Sequence, residues 1–262
     1  MFRISVFHSF IFGLKINNYR VFTGNPLRPP LEMYQYRAGD LIDDTLLEVV
    51  TNIISEPTFN VLRTKQQLGY VCFSSYKNTY GILGMTIEVK SAADSHKVDH
   101  IRKCIEDFSN KDLIELFKDL DEETFENYRK SLIVQLSAKD NSLSQEAGRN
   151  FAELEEGDRF FDRHLKKIEI LEKMTKREVC QLALDLLRKS HILDVIVVGN
   201  EQVKESESKT SAAAVTSKES LDNFEEFIFL KDSDIKDLKK KSKMFEKLPN
   251  LKENYEMLKS LS

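Results

Sequence analysis

Leu62-Arg63-Thr64-Lys65-Gln66-Gln67-Leu68-Gly69-Tyr70 is the stretch that decides the fold. It reads as the end of a helix turning into a strand. Ser55-Glu56-Pro57-Thr58-Phe59-Asn60 precedes it, and an alternating strand pattern follows. Pro57 reads as the first turn of a new helix, where its missing N–H costs little, with Ser55 as the cap. Phe59 and Leu62 then point inward, and Gly69 allows a turn that a side chain would oppose. The turn sets a cationic fork, Arg63, and a phenol, Tyr70, at one edge of a sheet. An edge strand can take up an extended peptide by backbone pairing. A guanidinium and a phenol beside that edge can hold a carbonyl, or the oxyanion it becomes.

Upstream, Leu31–Arg37 alternates as a strand. Asp40 is placed to cap a helix whose Ile42, Leu46, Val49, Val50, Ile53 and Ile54 share one face. Downstream come strands at 70–75 and 81–90, joined by a turn at Lys77-Asn78-Thr79. Helices are expected near 95–118, 121–138, 142–157, 162–173 and 176–189. Thr175-x-x-Glu178 is a capping box, with Met174 and Val179 placed as a hydrophobic staple. His191–Val198 is a β-branched closing strand. Strands first, segregated helices and a closing strand give an α+β fold: a mixed or antiparallel sheet covered on one face by a layer of helices.

The flanks read differently. Asn25–Pro30 holds three of the five prolines and marks a break, so residues 1–30 form an N-terminal segment apart. Its start, Met1–Leu14, loosely resembles a signal peptide. His8, Ser5 and Ser9 interrupt the apolar run and no cleavage site follows, so a strand or an atypical start stands beside that reading. Residues 31–199 form the folded domain. Residues 200–220 are polar and aperiodic, as in a flexible linker or surface loop. Residues 221–262 form a tail, with a strand signal at Phe224–Leu230 and a lysine-rich helix at Asp234–Leu248.

A hydrophobic content of 41% and a charged content of 31% describe a water-soluble globular chain. A net charge of -4 leaves no electrostatic footprint for nucleic acid. No run reaches the roughly 18 apolar residues of a membrane span. Cys72, Cys104 and Cys180 have neither metal spacing nor a disulfide pattern, which suits reduced thiols in the cytoplasm.

One string invites a metal. His96-Lys97-Val98-Asp99-His100 places two histidines four apart, with a carboxylate three after the first, as in an inverted zinc motif. Helical phase opposes it. Val98, Ile101, Ile105 and Phe108 cluster on one face, and His96 and His100 fall nearly opposite, toward solvent. Asp99 is also shorter than the glutamate that motif requires. Glu172 and Glu178, possible third ligands by distance along the chain, fall with it. His8, His164 and His191 have no partner at metal or triad spacing. No metal ligand is therefore assigned to this chain. Gly81-x-x-Gly84 reads as strand-edge spacing, not a phosphate cradle.

The pattern Glu56-Pro57-x-Phe59-x-x-Leu62-Arg63-Thr64-Lys65-x-x-Leu68-Gly69-Tyr70 resembles the nardilysin and insulin-degrading enzyme family, the pitrilysin-type zinc peptidases. The likeness runs from about Leu31 to Gly199, with a weaker echo at Asp234–Leu238, and is to the last of four homologous domains. It implies a metalloendopeptidase chamber closed by this domain, with Arg63 and Tyr70 contacting peptide substrate and stabilising charge on the scissile carbonyl. It places zinc and the catalytic base in a missing N-terminal half, or in a partner subunit. The chain alone is then not a competent peptidase. A non-catalytic module that binds a peptide or a partner is the alternative.

Overall fold

The computed structural model describes residues 19–23, 31–79, 81–91, 96, 98–156, 158–197 and 228–229. The readings of Met1–Leu14, residues 200–220 and Asp234–Leu248 lie outside them.

Strands β1 (Tyr19–Thr23), β2 (Leu31–Ala38), β3 (Val71–Thr79), β4 (Ile82–Lys90), β5 (His191–Val197) and β6 (Ile228–Phe229) form one sheet in the order β3-β4-β2-β5-β1-β6. β3, β4, β2 and β5 are antiparallel neighbours, whereas β1 runs parallel to both β5 and β6. The sheet is thus mixed, and it reaches beyond residues 31–199 on both sides. Of Phe224–Leu230, the described strand is Ile228–Phe229.

Helix α1 (Leu41–Thr58) runs directly into a π-helical segment, Phe59–Lys65. Then come α2 (Val98–Asp107), a second π-helical segment (Phe108–Asp112), α3 (Leu113–Asp119), α4 (Glu122–Ser137), α5 (Leu143–Glu156), α6 (Arg163–Lys173) and α7 (Lys176–Lys189). Strand alternation builds the core. On β4, Leu83, Met85, Ile87 and Val89 point to one face and are buried with Val49, Val50, Ile53 and Ile54 of α1. α7 adds Val179, Leu182, Ala183 and Leu186 to the same core. Helices therefore cover that face, as the α+β reading expects.

Local caps explain the helix starts. Asp40 accepts from the backbone N–H groups of Ile42 and Asp43, both at 2.9 Å. Thr175 and Glu178 close the expected capping box, and Met174 and Val179 are buried beside it.

Four local readings are corrected. Pro57 does not start a helix: it lies inside α1, which is buried on nearly every side, so tertiary packing outweighs the break a proline favours. Ile42 is exposed: it lies in the first turn of α1, where Leu41, Thr45 and Leu46 are the buried residues instead. The hairpin turn lies beyond Lys77-Asn78-Thr79, which belong to β3. Gly81 supplies the positive φ of 81°, and Asn78 Oδ1 accepts from its N–H. Gly84 is at no sheet edge, since β4 is flanked by β3 and β2. A Cβ there would come within 2.3 Å of the Tyr34 carbonyl oxygen.

Candidate substrate-contact corner

The π-helical segment positions Arg63. Its wider turn appears as Gln66 N–H donating to the Val61 carbonyl at 2.9 Å, five residues back. Leu68 N–H then reaches the Leu62 carbonyl at 3.0 Å, which folds the chain back on itself. Leu62 and Leu68 are fully buried and anchor the corner from below. Between them, Gln67 has φ of 53°, a left-handed position taken by a non-glycine residue.

Gly69 plays a different part from the expected one. The positive φ belongs to Gln67, while Gly69 is needed for close approach. A Cβ there would lie 2.1 Å from the Lys90 carbonyl oxygen. The end of β4 and the entry to β3 are thus pressed backbone to backbone, and the Cys72 thiol reaches back to the Gly69 carbonyl at 3.7 Å.

β3 is an outermost strand of the sheet, so the corner stands at a sheet edge as the sequence implied. Tyr70 immediately precedes β3 and is 59% exposed. Its ring faces the Lys90 ammonium, 5.5 Å from the ring centroid. Arg63 is exposed too, with its guanidinium over the Phe59 ring at 4.6 Å. Phe59 is therefore no inward residue: 42% exposed, it is the shelf on which Arg63 rests. Burial pushes the Cys72 thiol pKa up, and the nearby positive charge of Arg63 opposes that shift. Among the described residues no hydrogen bond joins Arg63 to Tyr70. Each has its own neighbour, Phe59 for Arg63 and Lys90 for Tyr70.

At the other end of β3 from the corner lies a buried charge cluster that sequence reasoning missed. Asp44 on α1 accepts hydrogen bonds from the Tyr76 hydroxyl and, at 2.7 Å, from Asn78, both on β3. Lys167 of α6 bridges Asp44 at 2.7 Å and Glu48 at 2.8 Å. Burial alone would raise the Asp44 pKa, but the Lys167 ammonium and the Tyr76 and Asn78 donors hold it below the usual carboxylate range. Burial acts against the Lys167 charge as well, and Asp44 and Glu48 outweigh it, so its pKa is raised. Burial and the Asp44 charge together push the Tyr76 phenol well up. The cluster ties the edge strand to two helices. No sequence spacing announces it, because its members come from three distant elements.

The remaining metal candidates have other work. His96 and His100 are stacked, ring centroids 5.3 Å apart, and His100 is exposed as the helical phase required. The Nε2 of His96 lies 3.0 Å from the Gln67 carbonyl oxygen, a link to the corner that the sequence did not reveal. Glu178 is engaged by Thr175, and the Glu172 carbonyl accepts from Arg129. Among the described residues no three His, Cys, Asp or Glu side chains are grouped to hold a metal ion. The described residues thus offer no ready-made zinc site.

Comparison with known proteins adds the context. The family described as PQQ synthase PqqF-like, C-terminal lobe domain 4, matches residues 49–151. Nardilysin of Homo sapiens is 34% identical over 146 residues, covering 56% of this chain and 13% of nardilysin. Insulin-degrading enzyme of Homo sapiens is 31% identical over 176 residues, covering 64% of this chain and 16% of that enzyme. The chain therefore spans about an eighth to a sixth of the length of these relatives. Among solved structures, pitrilysin superposes with a TM-score of 0.63 at 15% identity, over 90% of this chain and 24% of its own. The periplasmic protease PqqL from Escherichia coli gives 0.54 at 14% identity, over 70% and 21%. These two share the fold.

Proposed function

We propose that the chain is a C-terminal-lobe domain of the pitrilysin-type peptidases, since it is similar to the PqqF-like C-terminal lobe domain 4 and to nardilysin and insulin-degrading enzyme, and that it closes a peptidase chamber and grips the substrate there. The observation that carries this reading is the corner at β3. An exposed guanidinium and an exposed phenol stand beside an outermost strand, each against a neighbouring side chain. An extended peptide presents carbonyl oxygens at regular intervals. Arg63 donates to one of them with a planar fork, and Tyr70 donates its hydroxyl to the carbonyl under attack, where negative charge grows. The hydrolytic water is activated by zinc, which in this reading sits in a zinc-bearing N-terminal half or a partner subunit. In this reading no described residue of this chain holds the metal, and the chain works in the cytoplasm with its three thiols free.

Reconstitution with a zinc-bearing half tests the reading. Tyr70→Phe should lower peptide turnover about tenfold to a thousandfold without loss of folding, since one oxyanion donor is worth about 2.7–4 kcal/mol. Arg63→Ala should also weaken peptide binding, and Arg63→Lys should restore only part, because an ammonium lacks the fork. Unchanged kinetics in all three would reduce the corner to a structural feature.

The second reading, a non-catalytic module, rests on the same edge strand. Amide exchange separates the two. If a peptide slows exchange along β3 in the isolated chain but the reconstituted complex does not turn over, the module stands and the chamber does not.

A further inference from the structure

Helix α5 is amphipathic with the wrong side out. Its attachment to the body is polar. Glu153 takes two bonds from Arg163, at 2.6 and 2.8 Å, and one from the Phe160 N–H at 3.2 Å. Arg149 bonds Asp140 at 2.8 Å and the Phe161 carbonyl at 3.2 Å. At about 100° per residue, Leu143, Ala147, Phe151 and Leu154 fall on one stripe away from Glu153. That stripe is in solvent: Leu143 is 81% exposed, Phe151 58% and Leu154 54%. Phe161, next along the chain and also exposed, extends the apolar surface. A helix held by its charges with its leucines in water is a surface built to be covered.

Resting on the chamber reading above, we propose that the α5 stripe is the surface by which this chain docks onto the zinc-bearing remainder of its peptidase. Two observations choose this occupant. The matched part is 13% of nardilysin and 16% of insulin-degrading enzyme, so most of each relative lies outside it and needs a seam with it. The exposed Glu146 and Glu155 flank the stripe, which favours a protein surface with a basic rim. A membrane-seeking helix carries Lys and Arg at those flanks instead.

The test uses the full chain and human nardilysin truncated before the part that this chain matches, loaded with zinc. Binding is measured by interferometry without peptide. The wild-type chain should bind. Leu143→Gln/Phe151→Gln/Leu154→Gln should weaken binding at least about tenfold, while Arg63→Ala/Tyr70→Phe should leave it unchanged. Leu143→Gln alone, at the most exposed position, gives a smaller loss and guards against misfolding of the triple variant, whose unfolding midpoint is checked by circular dichroism. No binding by wild type, or equal binding by the triple variant, overturns the proposal. So does a homodimer that the triple variant dissolves, or co-sedimentation with phosphatidylserine vesicles that it abolishes. Docking is read without turnover, so failure of the Arg63 and Tyr70 roles leaves this result intact. Peptide exchange protection on the isolated chain tests those roles even if docking fails.

Discussion

Gly69 sets the aim of Tyr70. Its missing side chain lets the entry of β3 lie against the Lys90 carbonyl, where a methyl would arrive at 2.1 Å. Backbone cannot rotate aside as a flexible side chain can. Gly69→Ala should therefore cost about 1–3 kcal/mol, the range for overpacking, with a lower urea midpoint. The same shift moves Tyr70, so peptide affinity should fall further than stability alone explains. A variant with wild-type midpoint and affinity would show that the approach is looser than drawn. At this scale the sequence was readable where chemistry is local. The Thr175–Glu178 box stands where its spacing put it. The sequence was silent where partners are remote: nothing near His96 points to Gln67, and nothing near Asp44 points to Lys167.

Between elements, the Asp44–Lys167–Tyr76 cluster joins α1, α6 and β3 in the dry interior. Lys167→Met leaves Asp44 buried without its counter-ion and should cost about 3–5 kcal/mol at neutral pH. The pH dependence follows from the signs. Asp44 has a depressed folded pKa, so its contribution is fully present above its unfolded value of about 3.9 and is lost as pH falls through the folded value. Lys167 has a raised folded pKa, so its contribution is fully present below about 10.4 and is lost as pH rises through the folded value. Thermal melts of wild type and Asp44→Asn should differ by a constant amount from about pH 5 to 9 and converge in acid. A gap that does not narrow at all as pH falls below about 4 would assign the cluster's effect to packing. Periodicity predicted the helices but not this cross-brace. Nor did it show that Pro57 continues a helix or that α5 turns its apolar stripe to water. A stripe can be read from one sequence, whereas which side is wet depends on what packs there.

Across the whole molecule the fold class was legible, and the strand order was not. An alternating run tells which residues share a face and says nothing of which strand lies beside it. The structure sets β5 between β2 and β1, with Val195 paired to Leu31 on one side and to Val21 on the other. Val195→Pro should remove ladder hydrogen bonds inside the sheet and cost about 3 kcal/mol or more, against a smaller loss for Ser75→Pro on the outermost β3. Denaturant titration of both variants checks this, and equal losses would contradict the strand order.

That strand order also fixes a sequence in time. A ribosome releases β5 about 160 residues after β2, by the pairing of Leu31 with Val195. At ~5–20 residues per second, β2 waits about 8–30 seconds with one side of its backbone unpaired. During that wait the helical layer can gather on β4, but the sheet has a gap where β5 belongs. An unsatisfied strand edge is a template for any other chain nearby. The newborn polypeptide is thus vulnerable until its closing strand emerges, and a chaperone that shields Leu31–Ala38 in that interval should raise the yield of folded protein.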